Sequence, residues 1–185
     1  PLLLLLASFA LAQPADGLDD LDSFAPPEPA APDPAKLLVI QSVTPQVRIV
    51  DSKPFYVAID YRIDGAWHAY GPSQSYEFAL PSKLQLTSQN FELLETHFPP
   101  SKKVATTDPA SGKTVHVYYL PNHGTILAKV RYLGAVDTGL ETYYGRIALE
   151  IRFQWIGQLC GGTNNQCLGF TLNTPVAFLH SGPRL

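Results

Sequence analysis

From Phe55 to Ile63 the odd positions are Phe55, Val57, Ile59, Tyr61 and Ile63, while Tyr56, Ala58, Asp60 and Arg62 take the even ones. A period of two puts alternate side chains on one face of an extended strand, whereas a helix would scatter them around its axis. One face is therefore expected to be buried and the other wet. The alternation recurs at Val115, Val117 and Tyr119, and at Ile126, Ala128, Val130 and Tyr132. It is fullest at Ile147, Leu149, Ile151, Phe153 and Trp155, with Arg146, Glu150, Arg152 and Gln154 opposite. Less regular candidates run from Leu37 to Val43, Gln46 to Val50, Lys83 to Thr87, Phe91 to Thr96 and Phe170 to Leu179. No window carries a convincing amphipathic helix. Strands divided by Pro, Gly, Asn and Asp turns predict an all-β domain, an immunoglobulin-like antiparallel β-sandwich, with a closed barrel as the alternative.

The residues before these strands are of two other kinds. Leu2 to Ala12, apolar except for Ser8, is shorter than the roughly 20 residues a spanning helix needs. Five leucines followed by Ala10-Leu11-Ala12 read as the apolar core and small-residue cleavage site of a secretory signal, so residues 1–12 are assigned to a signal remnant. Residues 13–36 hold prolines at 14, 26, 27, 29, 32 and 34 and six acidic residues, a composition that suits a solvated, disordered linker. The domain is then expected over residues 37–185. The chain begins with Pro1 and contains no methionine, which suggests a processed product or a fragment. Residues 37–185 carry 12 basic and 10 acidic side chains, with no basic run to neutralise a phosphate backbone. Nucleic acid is not an expected partner.

Cys160 and Cys167 enclose Gly-Gly-Thr-Asn-Asn-Gln between the longest alternating strand and the last one. Glycine and asparagine form turns, so the cysteines should flank one hairpin connection. They are too close in sequence to join sheet to sheet in the antibody manner. In an oxidising exported compartment they should form a disulfide. Two readings stay open: a structural staple of one hairpin, or a redox couple in which a thiolate attacks a partner disulfide and the second cysteine resolves the mixed disulfide. His68, His97, His116, His123 and His180 show no ligand spacing with the cysteines, so neither metal nor cofactor is expected.

A second cluster, Trp67-His68-Ala69-Tyr70, follows the Asp64-Gly65 turn signal. Its aromatic residues either cap the sandwich core, with His68 exposed, or border the cysteines and tune solvent access and thiolate formation.

The succession of a strand, an Asp-Gly turn, Trp-His-x-Tyr, Phe98-Pro99-Pro100, a long polar segment and paired cysteines before Leu168 to Phe178 resembles the periplasmic N-terminal domain of DsbD-type thiol:disulfide interchange proteins, over roughly Lys36 to Leu179. The resemblance implies an immunoglobulin-like fold and a protein-disulfide reductase function, with Cys160 and Cys167 as the catalytic pair and Tyr70 beside it; His68 and Trp67 are carried as further bordering residues. It implies thioredoxin-like periplasmic partners, of the disulfide isomerase or cytochrome c maturation type, and a membrane electron-transfer domain beyond Leu185 in the full proteins. It also places Ser101 to Thr114 where the family carries a cap. This stretch holds Lys102, Lys103, Asp108, Pro109, Gly112 and Lys113 but no aromatic residue, and it is expected to be a mobile loop folded over the cysteine end.

Overall fold

The computed structural model describes residues 31–45, 53–108, 110–134, 142–143, 146–163 and 165–181. The proposed signal remnant, most of the linker and the strand expected from Gln46 to Val50 lie outside the described residues. The compact unit starts at Pro32. Within the end of the stretch expected to be disordered, Asp33 caps a single helical turn, α1 (Pro34–Leu37), by accepting the Ala35 N–H at 3.0 Å. Pro34 suits the first helical position because no intrahelical partner exists there for an N–H. No described helix is long and apolar enough to cross a membrane.

Eleven strands are found among the described residues: β1 (Leu38–Pro45), β2 (Pro54–Ile63), β3 (Trp67–Ala69), β4 (Lys83–Leu86), β5 (Phe91–His97), β6 (Lys102–Thr107), β7 (Thr114–Tyr119), β8 (His123–Tyr132), β9 (Thr142–Tyr143), β10 (Arg146–Gly161) and β11 (Gln166–Ser181). One antiparallel sheet has the order β1-β2-β8-β5. The other is organised by β10, which pairs with β11 along its whole length. Three short strands share its opposite edge: β9 at residues 146–147, β4 at 153–156 and β3 at 159–161.

The alternating faces meet as expected. Phe55, Val57, Ile59, Tyr61 and Ile63 of β2, with Ile126, Ala128, Val130 and Tyr132 of β8, pack against Ile151, Phe153, Trp155 and Leu159 of β10 in one core. Trp155 ties the layers together, its ring 5.1 Å from Tyr61 of the facing sheet, 5.5 Å from Phe170 on β11 and 6.1 Å from Phe98. The molecule is thus an all-β sandwich of antiparallel sheets rather than a closed barrel.

Two segments differ from expectation. Ser101 to Thr114 is not one long loop: β6 pairs with β7 from Lys102↔Tyr119 to Thr107↔Thr114, leaving only residues 108–113 as the turn. Val104 is the sole large apolar residue of β6, so the segment shows no period of its own and takes strand form from the alternating partner it pairs with. Trp67–Ala69, not among the strand candidates, is a strand paired to β10, too short to reveal alternation.

Trp155 is fully buried, and its indole Nε1 has no hydrogen-bond partner among the described residues. Trp155→Ala should therefore cost roughly 3–5 kcal/mol in urea unfolding, the usual range for emptying a large aromatic site. Trp155→Phe, which abandons no hydrogen bond, should cost clearly less.

Candidate functional site

The parity of β10 decides where the cysteines point. Leu159 lies in the main core, so its neighbour Cys160 projects from the opposite, outer face of the sheet. Across one edge Cys160 is in register with Cys167, and across the other with His68. On the β3 side, the Tyr70 N–H donates to the Gln158 carbonyl at 3.2 Å and the Gly162 N–H to the Ala66 carbonyl at 3.0 Å. Hydrogen-bonded positions alternate along a strand, so the peptide groups of Cys160 also face β3. Toward β11, Cys160 then occupies a non-hydrogen-bonded site, where opposed residues come closest. Its Cα is 4.1 Å from that of Cys167, and the two are joined by a disulfide.

The glycines after Cys160 do more than turn the chain. Gly161 has φ 152° and Gly162 has φ 73°, conformations disfavoured by a side chain. A Cβ on Gly161 would lie 2.2 Å from the Ala66 carbonyl oxygen and 2.8 Å from the Trp67 Cα, and one on Gly162 would lie 2.9 Å from the Trp67 ring. The bare Gly-Gly backbone therefore lets the Asp64–Trp67 turn sit against the cysteine hairpin. Asp64 stabilises that turn by accepting the Ala66 N–H on its carboxylate and the Trp67 N–H on its carbonyl.

The two sulfur-bearing residues differ in exposure. Cys160 is 3% exposed, in a second small core with Tyr70, Ala79 and Val117, flanked by Tyr76, Val104 and Tyr119. Cys167 is exposed. The second core is built on the outer face of β10 and covered by the β6–β7 hairpin, so the segment expected to cap the cysteines does pack there through Val104. Tyr119, from β7, and Tyr76 supply the aromatic surface that residues 101–114 lack.

Polar groups fasten this cover. Gln74 donates from Nε2 to the Tyr118 carbonyl at 2.6 Å and accepts the Tyr118 N–H on Oε1 at 3.0 Å, as a paired strand residue would. At the hairpin tip the buried Asp108 accepts the Tyr76 hydroxyl at 2.8 Å, the Ala110 and Ser111 N–H groups at 3.2 Å, and the Ser111 hydroxyl. Hydrogen bonds from Ser111, then Tyr76, hold the Asp108 carboxyl below its usual range. The bond to Asp108 in turn raises the Tyr76 phenol.

Of the bordering residues expected from sequence, Tyr70 is a member of this outer core, His68 packs on the Tyr119 that flanks it, and Trp67 lies in the main core. Tyr70 is stacked on Tyr119 at 5.4 Å, and burial, then the charge of and hydrogen bond with Tyr119, push its phenol up to about 12. His68 packs its ring 4.4 Å from Tyr119, and burial lowers its pKa. Trp67 belongs to the main core and supports the cysteine hairpin through its contact with the glycines. Sequence reasoning missed Tyr119, Tyr76 and Gln74 as parts of the site, and named Asp108 only as a member of the expected loop over residues 101–114. Of the missed three, Tyr119 had a visible signal, as the last member of the β7 alternation.

No family model matches the chain, and no curated protein does. Among solved structures it is similar to the N-terminal periplasmic domain of ScsB from Proteus mirabilis, with 8% identity and a TM-score of 0.47 over 72% of this chain and 44% of that one. It is also similar to the DsbD N-terminal domain of Neisseria meningitidis in its reduced form, with 15% identity and a TM-score of 0.39 over 87% and 94%. A cohesin module from a Clostridium perfringens family 33 glycoside hydrolase aligns with 6% identity and a TM-score of 0.39 over 73% and 92%.

Two outcomes follow from the geometry. Gly161→Ala forces β3 away from β10 and should lower stability by roughly 1–3 kcal/mol in urea unfolding, as overpacking does. Tyr76→Phe or Asp108→Asn should speed amide hydrogen exchange at Val117 and Tyr119 several-fold at neutral pH. Because the Asp108 carboxyl is held low in the folded chain, its contribution is present above the ordinary carboxyl range and lost as pH falls through the lowered value. The gap between wild type and Asp108→Asn should therefore close on acidification.

Proposed function

We propose that this domain is a periplasmic thiol:disulfide interchange module, a protein-disulfide reductase domain that passes electrons through Cys160 and Cys167 to oxidised partner proteins. The observation that carries this reading is the unequal exposure of the pair: Cys167 is open to solvent while Cys160 is buried beneath a cover. A staple has no use for that asymmetry, whereas an exchange site needs one sulfur for the partner and one held back to resolve. The bond also has little structural work to do. It closes a ring of eight residues, worth about 2.5 kcal/mol in the chain-entropy model, on two strands already paired over their whole length.

In this reading the Cys167 thiolate attacks one sulfur of a partner disulfide, and the partner's other sulfur leaves with the bonding electron pair and takes up a proton. Cys160 then attacks Cys167, re-forms the intramolecular bond and expels the partner as a thiol. Two electrons and two protons pass to the partner. The Trp-His-x-Tyr and paired-cysteine resemblance supports thioredoxin-like partners of the disulfide isomerase or cytochrome c maturation type, with electrons arriving from a membrane domain beyond Leu185. Residues 1–12, read as a signal, support export.

Thiol titration and mixed-disulfide trapping test the proposal. Mild reductant should release both thiols together with the strand signal in circular dichroism retained, and the reduction potential should lie above roughly −300 mV, the level typical of structural bonds. Cys160→Ser should accumulate a mixed disulfide with an oxidised thioredoxin-like protein, and Cys167→Ser should not. A potential well below that level, or unfolding on reduction, would identify an inert staple in a non-catalytic binding module.

A further inference from the structure

We propose that His68 is the proton acceptor that activates Cys160 for the resolving step, a role that rests on the interchange function proposed above. His68 and Cys160 are register partners on β3 and β10, so their side chains leave the same face of the sheet. Directly opposed residues of an antiparallel pair have Cβ atoms roughly 5 Å apart, within reach of an imidazole and a thiol. The His68 ring packs on Tyr119, which itself packs on the small core around Cys160. On its other side His68 lines a groove of about 400 Å³ with Pro100, Lys102, Tyr119 and Pro121, so the imidazole joins the buried sulfur's surroundings to the surface.

The chemistry of the surroundings leaves this role to one residue. Cys160 sits among Tyr70, Ala79, Val117 and Val104, an apolar setting that disfavours a bare thiolate. Its proton must therefore leave as the sulfur attacks. Among the described residues, the titratable groups around His68 are Cys160, its register partner on β10, Tyr119 of β7 in ring contact with it, Lys102 of β6 across the groove, and Tyr70, just beyond β3 and stacked on the same Tyr119. Burial raises the phenols of Tyr70 and Tyr119, so both keep their protons and neither can accept another. Lys102 brings an ammonium group, and Asp108 has its carboxylate committed to the hairpin tip. Burial lowers the His68 pKa, which keeps a neutral, accepting imidazole at neutral pH.

In the mixed disulfide, the Cys160 thiol gives its proton to the unprotonated ring nitrogen of His68 while its sulfur attacks Cys167 Sγ. The bond from Cys167 to the partner's sulfur breaks, and that sulfur leaves with the electron pair. The imidazolium returns the proton to the departing thiolate, so His68 ends neutral, the domain is oxidised and the partner's disulfide is fully reduced.

The test uses the reduced full chain and oxidised glutathione, which forms a mixed disulfide at Cys167 that Cys160 resolves with release of the second glutathione. Rapid quenching and mass spectrometry give the two rates separately. In His68→Gln, resolution at neutral pH should slow by about ten-fold or more, in keeping with general-base contributions. The first attack by Cys167 should stay within about two-fold of wild type. The wild-type resolution rate should rise with pH through the His68 titration and level off, and the variant should lose that inflection. His68→Asn provides a second substitution if the first perturbs folding. The wild-type chain offers an independent readout, because the NMR titration of the His68 ring should shift when Cys160 is reduced. Resolution within two-fold of wild type in both variants, or a His68 titration indifferent to the redox state, would overturn the role of His68 alone. A wild-type chain that forms no mixed disulfide, or never resolves one, would instead overturn the interchange function and the His68 role with it.

Discussion

The pleat of β10 governs the rest of the structure. A strand can offer only two faces, and sixteen residues of uninterrupted extension commit both. Ile151, Phe153, Trp155 and Leu159 are drawn inward by the facing sheet, which fixes the direction of every residue between and beyond them. Cys160 is turned outward by that commitment. The main core therefore stabilises the site indirectly: it anchors the strand and leaves the sulfurs outside, where a second cover has to be assembled from β6, β7 and the chain after β3.

That cover is held differently from the sandwich beneath it. Its apolar part is small, limited to a few aliphatic and tyrosine side chains, and its attachment relies on the Gln74 amide and the Asp108 carboxylate. Burial is the first cause of the shifts at Tyr70, Tyr119 and His68, so the inner side of the site is partly withdrawn from water. Cys167 marks the other side, where solvent begins. The boundary between those two environments passes through the disulfide itself.

The legible and illegible parts of this arrangement follow from the range of the interactions. β2, β8 and β10 announce themselves because each is long enough for one buried face to repeat. β3 has three residues and β6 one large apolar side chain, so both owe their extension to partners distant in sequence. The odd-inward parity that the sequence displays up to Trp155 continues to Leu159 in the structure, and this turns Cys160 outward. Gly161 and Gly162 were legible as turn formers but not as the contact surface for Ala66 and Trp67. Nothing local joins Tyr76 to Asp108, 32 residues away, and a fastening of that kind becomes visible only once the hairpin is folded back.

The complete register between β10 and β11 also has a kinetic meaning. Cys160 and Cys167 are opposed by a ladder of backbone pairs that extends far beyond them, so their alignment does not depend on the bond between them. When that bond opens, the two thiols remain facing each other at the end of a stiff ribbon. Each then meets the other at an effective concentration set by the ladder rather than by chain diffusion. Closure needs no conformational search, and any third sulfur attached to Cys167 competes with a neighbour already in place.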